Sequence, residues 1–310
     1  MGAAKGKKLS IEGAHTAGSI TVEADNGKTY GGASAFGGMV GIASNGVDIT
    51  NSENEASVKW STNCGRTNGT ISCAGGFVGR IDQGESSLSG CTNNADVHNR
   101  HFNNNAWEKG KLLADRTGGI VGCYGYLDDL STLTTGITIS DCHVTSEVIC
   151  FRGLIGGIAG FLCNADVIGC TFKGKVPNKS GDVDNFNCNV GGIAGGVENS
   201  SISNCKVVTS LYGVKAGSCG FKAGGIVAYL YSGSNVSDCK YFGHITTGDN
   251  GTDVIYYGGI VGQTEEGCSV SKCGFGGSIL GETITTVNCI DFAIGNKEIT
   301  PVDCTYWAGE

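Results

Sequence analysis

A short glycine pattern recurs along the whole chain and limits the folds it can adopt. Two glycines, an apolar residue, a small aliphatic residue and a third glycine return at intervals of 33–43 residues. The copies begin at Gly37, Gly75, Gly118, Gly156, Gly191, Gly224 and Gly258, and a degenerate copy begins at Asp291. Repeats of this length are typical of solenoids, in which each unit buries its apolar side chains against the next.

A cysteine flanked by apolar residues follows each glycine pattern. An apolar residue stands three before the cysteine and another stands six after it, as in Ile202, Cys205 and Leu211. Ser52 takes the cysteine's place in the first copy. The two residues just before the cysteine are mostly Ser, Asn, Asp or Gly, which predicts a corner in the backbone. The cysteines at this position are Cys91, Cys142, Cys170, Cys205, Cys239, Cys273 and Cys304.

These spacings predict an all-β fold, a right-handed parallel β-helix or β-solenoid of about eight coils with one coil per repeat. Each coil is expected to contain a strand through the glycine pattern, a corner, a strand through the cysteine, and a third strand through the later apolar residue. Equivalent residues would stack about 4.8 Å apart. We predict a single domain over 1–310, with a partial coil at 1–36, seven repeats at 37–290 and a degenerate terminal coil at 291–310.

Composition agrees with many short strands and excludes several other classes. The chain of 310 residues has 54 Gly, 2 Pro and only 16% charged residues, unlike a helical bundle, a coiled coil or a disordered acidic tail. Its net charge is -8 with scattered basic residues, so no nucleic-acid partner is expected. The longest apolar stretch, 154–163, is too short for direct membrane insertion.

The repeated cysteines are expected to be free, buried thiols. Stacked cysteines have parallel Cα–Cβ bonds, which is the wrong geometry for a disulfide. Any disulfide is expected among the other cysteines, with Cys64 and Cys73 as the candidate pair. We predict no metal site and no cofactor, because the chain has no CxxC motif and its histidines are dispersed. His98 and His101 are expected on a solvated loop.

Two long insertions indicate where a ligand would bind. The longest intervals between fixed points lie on either side of 118–122, so loops 98–116 and 123–136 should emerge from one coil. Loops on a rigid scaffold often carry recognition, and exposed aromatics suit sugar or protein contacts. The alternative is that both insertions are merely tolerated. The candidate ligand-binding residues are His101, Trp107, Tyr124, Tyr126, Asp128 and Asp129.

No catalytic residue is predicted. Hydrolysis of a glycoside needs two carboxylates that converge on one cleft. The close acidic pairs of the chain occupy different positions in the repeat, so convergence is not expected. These pairs are Glu53 and Glu55, Asp128 and Asp129, Asp182 and Asp184, and Glu265 and Glu266.

The glycine pattern with its apolar-x-x-Cys block resembles the GLUG-motif repeats of bacterial surface and secreted proteins, over about 37–307. That resemblance implies a solenoid in an extracellular or cell-surface protein, and no particular reaction. We therefore expect a non-enzymatic, adhesin-like binding or structural module. Its partner would be a host or cell-surface glycan or protein, or another copy of itself. The alternatives are a carbohydrate-active β-helix enzyme, either a polysaccharide lyase or a hydrolase, and a spacer or filament subunit that stacks end to end.

Overall fold

The computed structural model describes residues 3–4, 7–22, 34–60, 71–99, 115–125, 130–150, 152–176, 187–214, 222–248, 256–285, 293–296 and 298–309. Strands dominate these residues, and the single-turn 3-10 helix Leu130–Thr132 is the helical element among them. Within those ranges no helix is long and apolar enough to cross a membrane.

The strands form four sheets. Each turn of the solenoid passes through the sheets in the same order, and we name them I to IV in that order. Sheet I consists of Ser34–Gly37, Ser72–Gly75, Arg116–Gly118, Arg152–Gly156, Asn187–Gly191, Lys222–Gly224 and Tyr256–Gly258. Sheet II consists of Ala3–Ala4, Val40–Ala43, Val78–Ile81, Val121–Tyr124, Ala159–Cys163, Ala194–Glu198, Val227–Leu230 and Val261–Thr264.

The other two sheets complete each turn. Sheet III consists of Leu9–Glu12, Val47–Thr50, Ser86–Ser89, Ile137–Ser140, Ala165–Ile168, Ser201–Ser203, Asn235–Ser237 and Ser269–Ser271. Sheet IV consists of His15–Val22, Glu53–Trp60, Thr92–Asn93, Val97–Asn99, His143–Val144, Val148–Cys150, Thr171–Phe172, Lys206–Val208, Leu211–Val214, Lys240–Gly248, Gly274–Ile279, Glu282–Thr283 and Thr305–Tyr306.

Strands of successive turns pair in parallel, so the predicted β-solenoid is confirmed. Equivalent residues pair across turns, as Val167 with Ile202 and Ile202 with Val236. The later apolar position also stacks, as Leu211 on Ile245. Both rows are buried, and neighbouring turns supply the core that one turn lacks. Glu282–Thr283, which pairs antiparallel with Gly274–Ile279, is the exception among the described strands.

The number of complete turns is slightly below the predicted eight. Sheet I has seven strands, so seven turns contain all four sheets. Incomplete turns lie at both ends: Leu9–Glu12 pairs with the first complete turn, and Thr305–Tyr306 pairs with the last. We number the complete turns one to seven; their described residues fall in 34–60, 71–99, 115–150, 152–176, 187–214, 222–248 and 256–285.

The glycine pattern forms a bend between two strands, so the prediction of a single strand through it was wrong. In turn three a strand ends at Gly118 and the next begins at Val121. A Cβ on Gly119 would collide with the carbonyl oxygen of Gly157 and lie 2.7 Å from Val144 Cγ1. A Cβ on Gly122 would lie 2.8 Å from the backbone nitrogen of Ala74 in the preceding turn. The glycines therefore allow backbones to pack closely, and the strand is interrupted at the bend between them.

The predicted corner before each cysteine is confirmed. Its second residue has a left-handed backbone in every complete turn, which ends the sheet III strand and redirects the chain. Asn, Asp and Gly, which tolerate this conformation, occupy six of the positions, and Lys272 occupies the seventh. The residues and their φ angles are Asn51 (47°), Gly90 (61°), Asp141 (51°), Gly169 (66°), Asn204 (54°), Asp238 (54°) and Lys272 (53°).

The cysteines after these corners form the predicted column of free, buried thiols. The Cys205 thiol donates to the carbonyl of Ser203 at 3.3 Å, across the corner. Ser52 makes the equivalent bond to Thr50 at 2.8 Å, which explains why serine replaces cysteine in the first copy. Burial and the neighbouring Cys142 thiol raise the pKa of Cys91, with the neighbouring thiol contributing most.

Candidate functional site

The two ends of loop 98–116 are fixed at one serine of the preceding sheet I strand. The Ser72 backbone N–H donates to Asp115 Oδ1 at 2.7 Å, and the Ser72 hydroxyl donates to Asn99 Oδ1 at 3.1 Å. Asn99 Nδ2 returns a bond to the Ser72 carbonyl at 3.3 Å. All three residues are fully buried. The segment between Asn99 and Asp115 therefore starts and ends on a rigid, hydrogen-bonded base.

Tyr124 anchors the second loop, and its prediction as an exposed ligand contact was wrong. Its side chain is fully buried, and its hydroxyl lies 3.1 Å from the Gly84 carbonyl oxygen and 3.0 Å from Thr135 Oγ1. Burial raises the pKa of Tyr124 to about 12. On the far side of the loop, Asn164 Nδ2 donates to the Leu133 carbonyl at 2.8 Å. A tyrosine whose ring sits in the core and whose hydroxyl is bonded has no surface left for a ligand.

The remaining predicted contacts are not tested by the structure. His101, Trp107, Tyr126, Asp128 and Asp129 lie outside the described residues. What the structure places is the base from which both segments depart.

Beside the start of the first loop, two carboxylates and an imidazole come together on the outer side of sheet IV. His98 Nε2 lies 2.9 Å from Glu147 Oε2 and 3.9 Å from Asp96 Oδ2. One donor atom of each residue lies within 4.8 Å of the others. The His98 side chain is 10% exposed, and those of Asp96 and Glu147 are 41% and 31% exposed. His98 belongs to strand Val97–Asn99, so its prediction on a solvated loop was wrong.

An alignment of the repeats could have predicted the group of Asp96, His98 and Glu147. Looking for acidic residues that are close in sequence did not predict it. Asp96 stands five residues after Cys91, and Glu147 stands five residues after Cys142. Equal offsets from the ladder cysteine place residues on neighbouring turns next to each other. A search for carboxylates that are close in sequence misses Asp96 and Glu147, because they are 51 residues apart.

A buried arginine lies between sheets I and II. Arg116 is 1% exposed, donates from Nη1 to Cys123 Sγ at 2.6 Å, and places its guanidinium 4.7 Å from the Phe161 ring centroid. Burial raises the pKa of Cys123, but the Cys73 thiol and the Arg116 charge outweigh it and lower the pKa to about 7. Cys73 is a free thiol, so the predicted Cys64–Cys73 disulfide was wrong. Because this group is buried, its arrangement is that of charge compensation inside the core.

The acidic pairs within the described residues are held by separate partners. Glu53 accepts from Asn94 Nδ2 at 2.8 Å, and Glu55 contacts His15 Nε2 at 3.1 Å. Glu265 lies in turn seven, far from Glu53 and Glu55 in turn one, and accepts a hydrogen bond from the Ser232 hydroxyl of turn six at 2.6 Å. The structure therefore brings no two of these predicted pairs together, and Asp128, Asp129, Asp182 and Asp184 lie outside the described residues.

Comparison with known proteins gives one match, in turn five. Residues 186–210 match the family model described as the GLUG motif. The chain contains a GLUG motif. No curated protein and no solved structure matches the chain.

The GLUG motif of turn five includes both of the turn's defining bends. It contains the glycine bend that follows Asn187–Gly191 and the left-handed corner at Asn204, with the Cys205 thiol behind it. Its backbone is also in register with both neighbours, because Val190 pairs with Ile155 on one side and with Ala223 on the other. The GLUG motif is thus one building unit of the solenoid, and the predicted resemblance is confirmed for this segment.

Proposed function

We propose that the chain is a non-enzymatic repeat module of an extracellular or cell-surface protein, adhesin-like, which binds its ligand through the two loops of turn three. The observation that carries this proposal is the pair of buried loop bases. Loop 98–116 departs from Asn99 and Asp115 on Ser72, and loop 123–136 is fixed by Tyr124. A loop whose ends are held by buried hydrogen bonds loses less conformational entropy on binding than a loop whose ends are free.

The composition of these loops supports a glycan or protein partner. Trp107 and Tyr126 supply aromatic faces, and the amides at 103–105 supply donors and acceptors. Aromatic rings with neighbouring polar groups suit the apolar faces and hydroxyls of sugars as well as protein surfaces. The net charge of -8 disfavours nucleic acid as a partner.

The enzyme alternative finds less support in the described part of the chain. The acidic pairs that the structure places there are engaged in separate turns, and the ladder thiols are buried. A thiol buried in the core is inaccessible to a substrate and is a poor nucleophile. Asp128 and Asp129 remain for the test, and loss of polysaccharide turnover on their replacement by alanine would favour an enzyme.

A binding screen against glycan arrays and host surface proteins tests the proposal. The double variant Trp107→Ala, Tyr126→Ala should lose binding by at least tenfold while its melting temperature stays that of the wild type. Tyr306→Ala is the matched control, because Tyr306 is an exposed aromatic of the last, incomplete turn, remote in sequence from the loops. Equal binding by the double variant and the wild type would remove the loops from the proposal.

A further inference from the structure

We propose that Asp96, His98 and Glu147 form a binding site for a divalent first-row transition ion of the zinc class. The site joins turn two, which supplies Asp96 and His98, to turn three, which supplies Glu147. It is independent of the ligand that the loops bind, and it revises our expectation of a chain without a metal site.

The donor set suits such an ion. Imidazole with carboxylates is a common ligand combination for zinc and its neighbours, whereas calcium and magnesium prefer oxygen alone. Zinc binds these groups at about 2.0–2.2 Å, which places ligand atoms about 3.3 Å apart around a tetrahedral ion. The present separations of 2.9 Å and 3.9 Å from His98 Nε2 lie on either side of that value, and the two carboxylate oxygens lie within 4.8 Å of each other. Small side-chain rotations would therefore suffice, and water would complete the coordination.

The protein holds the donors in place from behind. The Glu147 backbone N–H donates to Asp96 Oδ1 at 3.2 Å, which leaves Oδ2 turned towards His98. Val97 pairs with Val148 and both are fully buried, so the register between the two turns is fixed. Hydrogen bonds to a ligating carboxylate of this kind orient it and support metal affinity.

Charge favours a cation at this point. Two carboxylates face one imidazole, and a single Nε2–H can satisfy only one of them. An ion among the three donors would satisfy all of them at once. Lys59 Nζ lies 4.0 Å from Asp96 Oδ2 and is the local competitor for that carboxylate. The partly exposed carboxylates give the ion access from solvent, and the imidazole is nearly buried.

The experiment is a zinc titration of the full chain after chelator treatment, followed by competition with a chromophoric chelator. The wild type should bind one ion that Asp96→Asn, His98→Gln and Glu147→Gln each weaken at least tenfold. The same ion should raise the melting temperature of the wild type and not that of the variants. Lys59→Met should bind zinc as tightly as the wild type or more tightly.

The matched control is His15→Gln with Glu55→Gln, which removes a similar but exposed imidazole–carboxylate pair. This control should leave the affinity unchanged. Cobalt in place of zinc identifies the ligands, because thiolate ligands give an intense charge-transfer band that nitrogen and oxygen ligands lack. Absence of binding, or binding that all three site variants retain, overturns the proposal and in the second case assigns the ion to cysteines. Glu147→Gln keeps the size of the side chain, so it remains informative if His98→Gln fails to fold.

Discussion

Lys272 offers a sharp test of the corner geometry, because among the corners before the ladder cysteines of the seven complete turns it alone is neither Asn, Asp nor Gly. Its φ is 53°, and its backbone N–H donates to Val302 at 2.8 Å. Asp238, at the same position one turn earlier, makes the equivalent bond to Ser271 at 3.1 Å. The backbone is therefore held alike in both turns, and only the residue type differs. A left-handed conformation costs an ordinary residue about 1–2 kcal/mol, and asparagine recovers part of that through local hydrogen bonds.

We expect Lys272→Asn to stabilise the chain by about 0.5–1 kcal/mol. For a chain of this size that gain raises the melting temperature by about 1 °C. Lys272→Ala is the matched control, because it removes the same exposed charge and keeps a side chain that gains nothing in this conformation. Urea titration followed by circular dichroism measures both variants. Hydrogen exchange of the amides in Gly274–Ile279 reports whether the last complete turn opens alone.

The test is the order of the free energies of unfolding. Lys272→Asn should be more stable than the wild type, and Lys272→Ala should be as stable as the wild type. If alanine stabilises as much as asparagine, the gain comes from lost charge and not from backbone strain. If asparagine gives no gain, the corner conformation does not limit stability at this position, and the physical account of the corners is wrong.

Three further results are expected. The ladder thiols, Cys205 among them, should resist Ellman's reagent in the native protein and react on unfolding, as mass spectrometry of the labelled peptides would show; rapid labelling of Cys205 would contradict its burial. Gly119→Ala should lower the free energy of unfolding by about 1–3 kcal/mol, because its Cβ has no room, and an unchanged urea midpoint would refute the packing argument. The pKa of Cys123 is lowered from 9.0 to about 7, so its stabilisation is complete above pH 9 and is lost as the pH falls through 7. The difference in free energy of unfolding between the wild type and Cys123→Ala should then grow by about 2 kcal/mol from pH 7 to pH 9.

The sequence predicted the rows of stacked residues because a solenoid converts spacing into contact. Ile202 and Cys205 recur at fixed offsets, and each pairs with or contacts its equivalents in the neighbouring turns. The corner residues followed from the same offsets together with turn chemistry. The glycine bend was misjudged because two glycines followed by aliphatic residues are compatible with a strand or with a bend. The crowding around Gly119 distinguishes them, and it comes from residues distant in sequence: Gly157 in the next turn and Val144 on another sheet of the same turn.

The candidate site was predicted less well, because its residues break the repeat. Tyr124 was assigned to a loop surface on the basis of its neighbours, yet it stacks on Ile81 in sheet II, where most equivalent residues are apolar. Arg116 occupies a row that holds Cys73 in one neighbouring turn and Leu154 in the other, so no periodic signal marks it. A pattern shared by all turns predicts what they have in common and gives no information about the residues in which one turn differs.

These exceptions to the repeat gather where turns two, three and four meet. The Asp96, His98 and Glu147 group, the buried Arg116 and the loop base at Asn99 all lie there. In turns five to seven the row of Asp96 and Glu147 holds Ser210, His244 and Ser278. Another row of sheet IV stacks aliphatic and aromatic residues there, such as Val207 on Tyr241. In a solenoid, stability is approximately a sum over interfaces between neighbouring turns, so apolar interfaces elsewhere offset the cost of polar groups at one junction. This junction departs from the repeat in ion pairing, buried charge and loop length at once, and it is where the proposed loop ligand and the proposed ion would both bind.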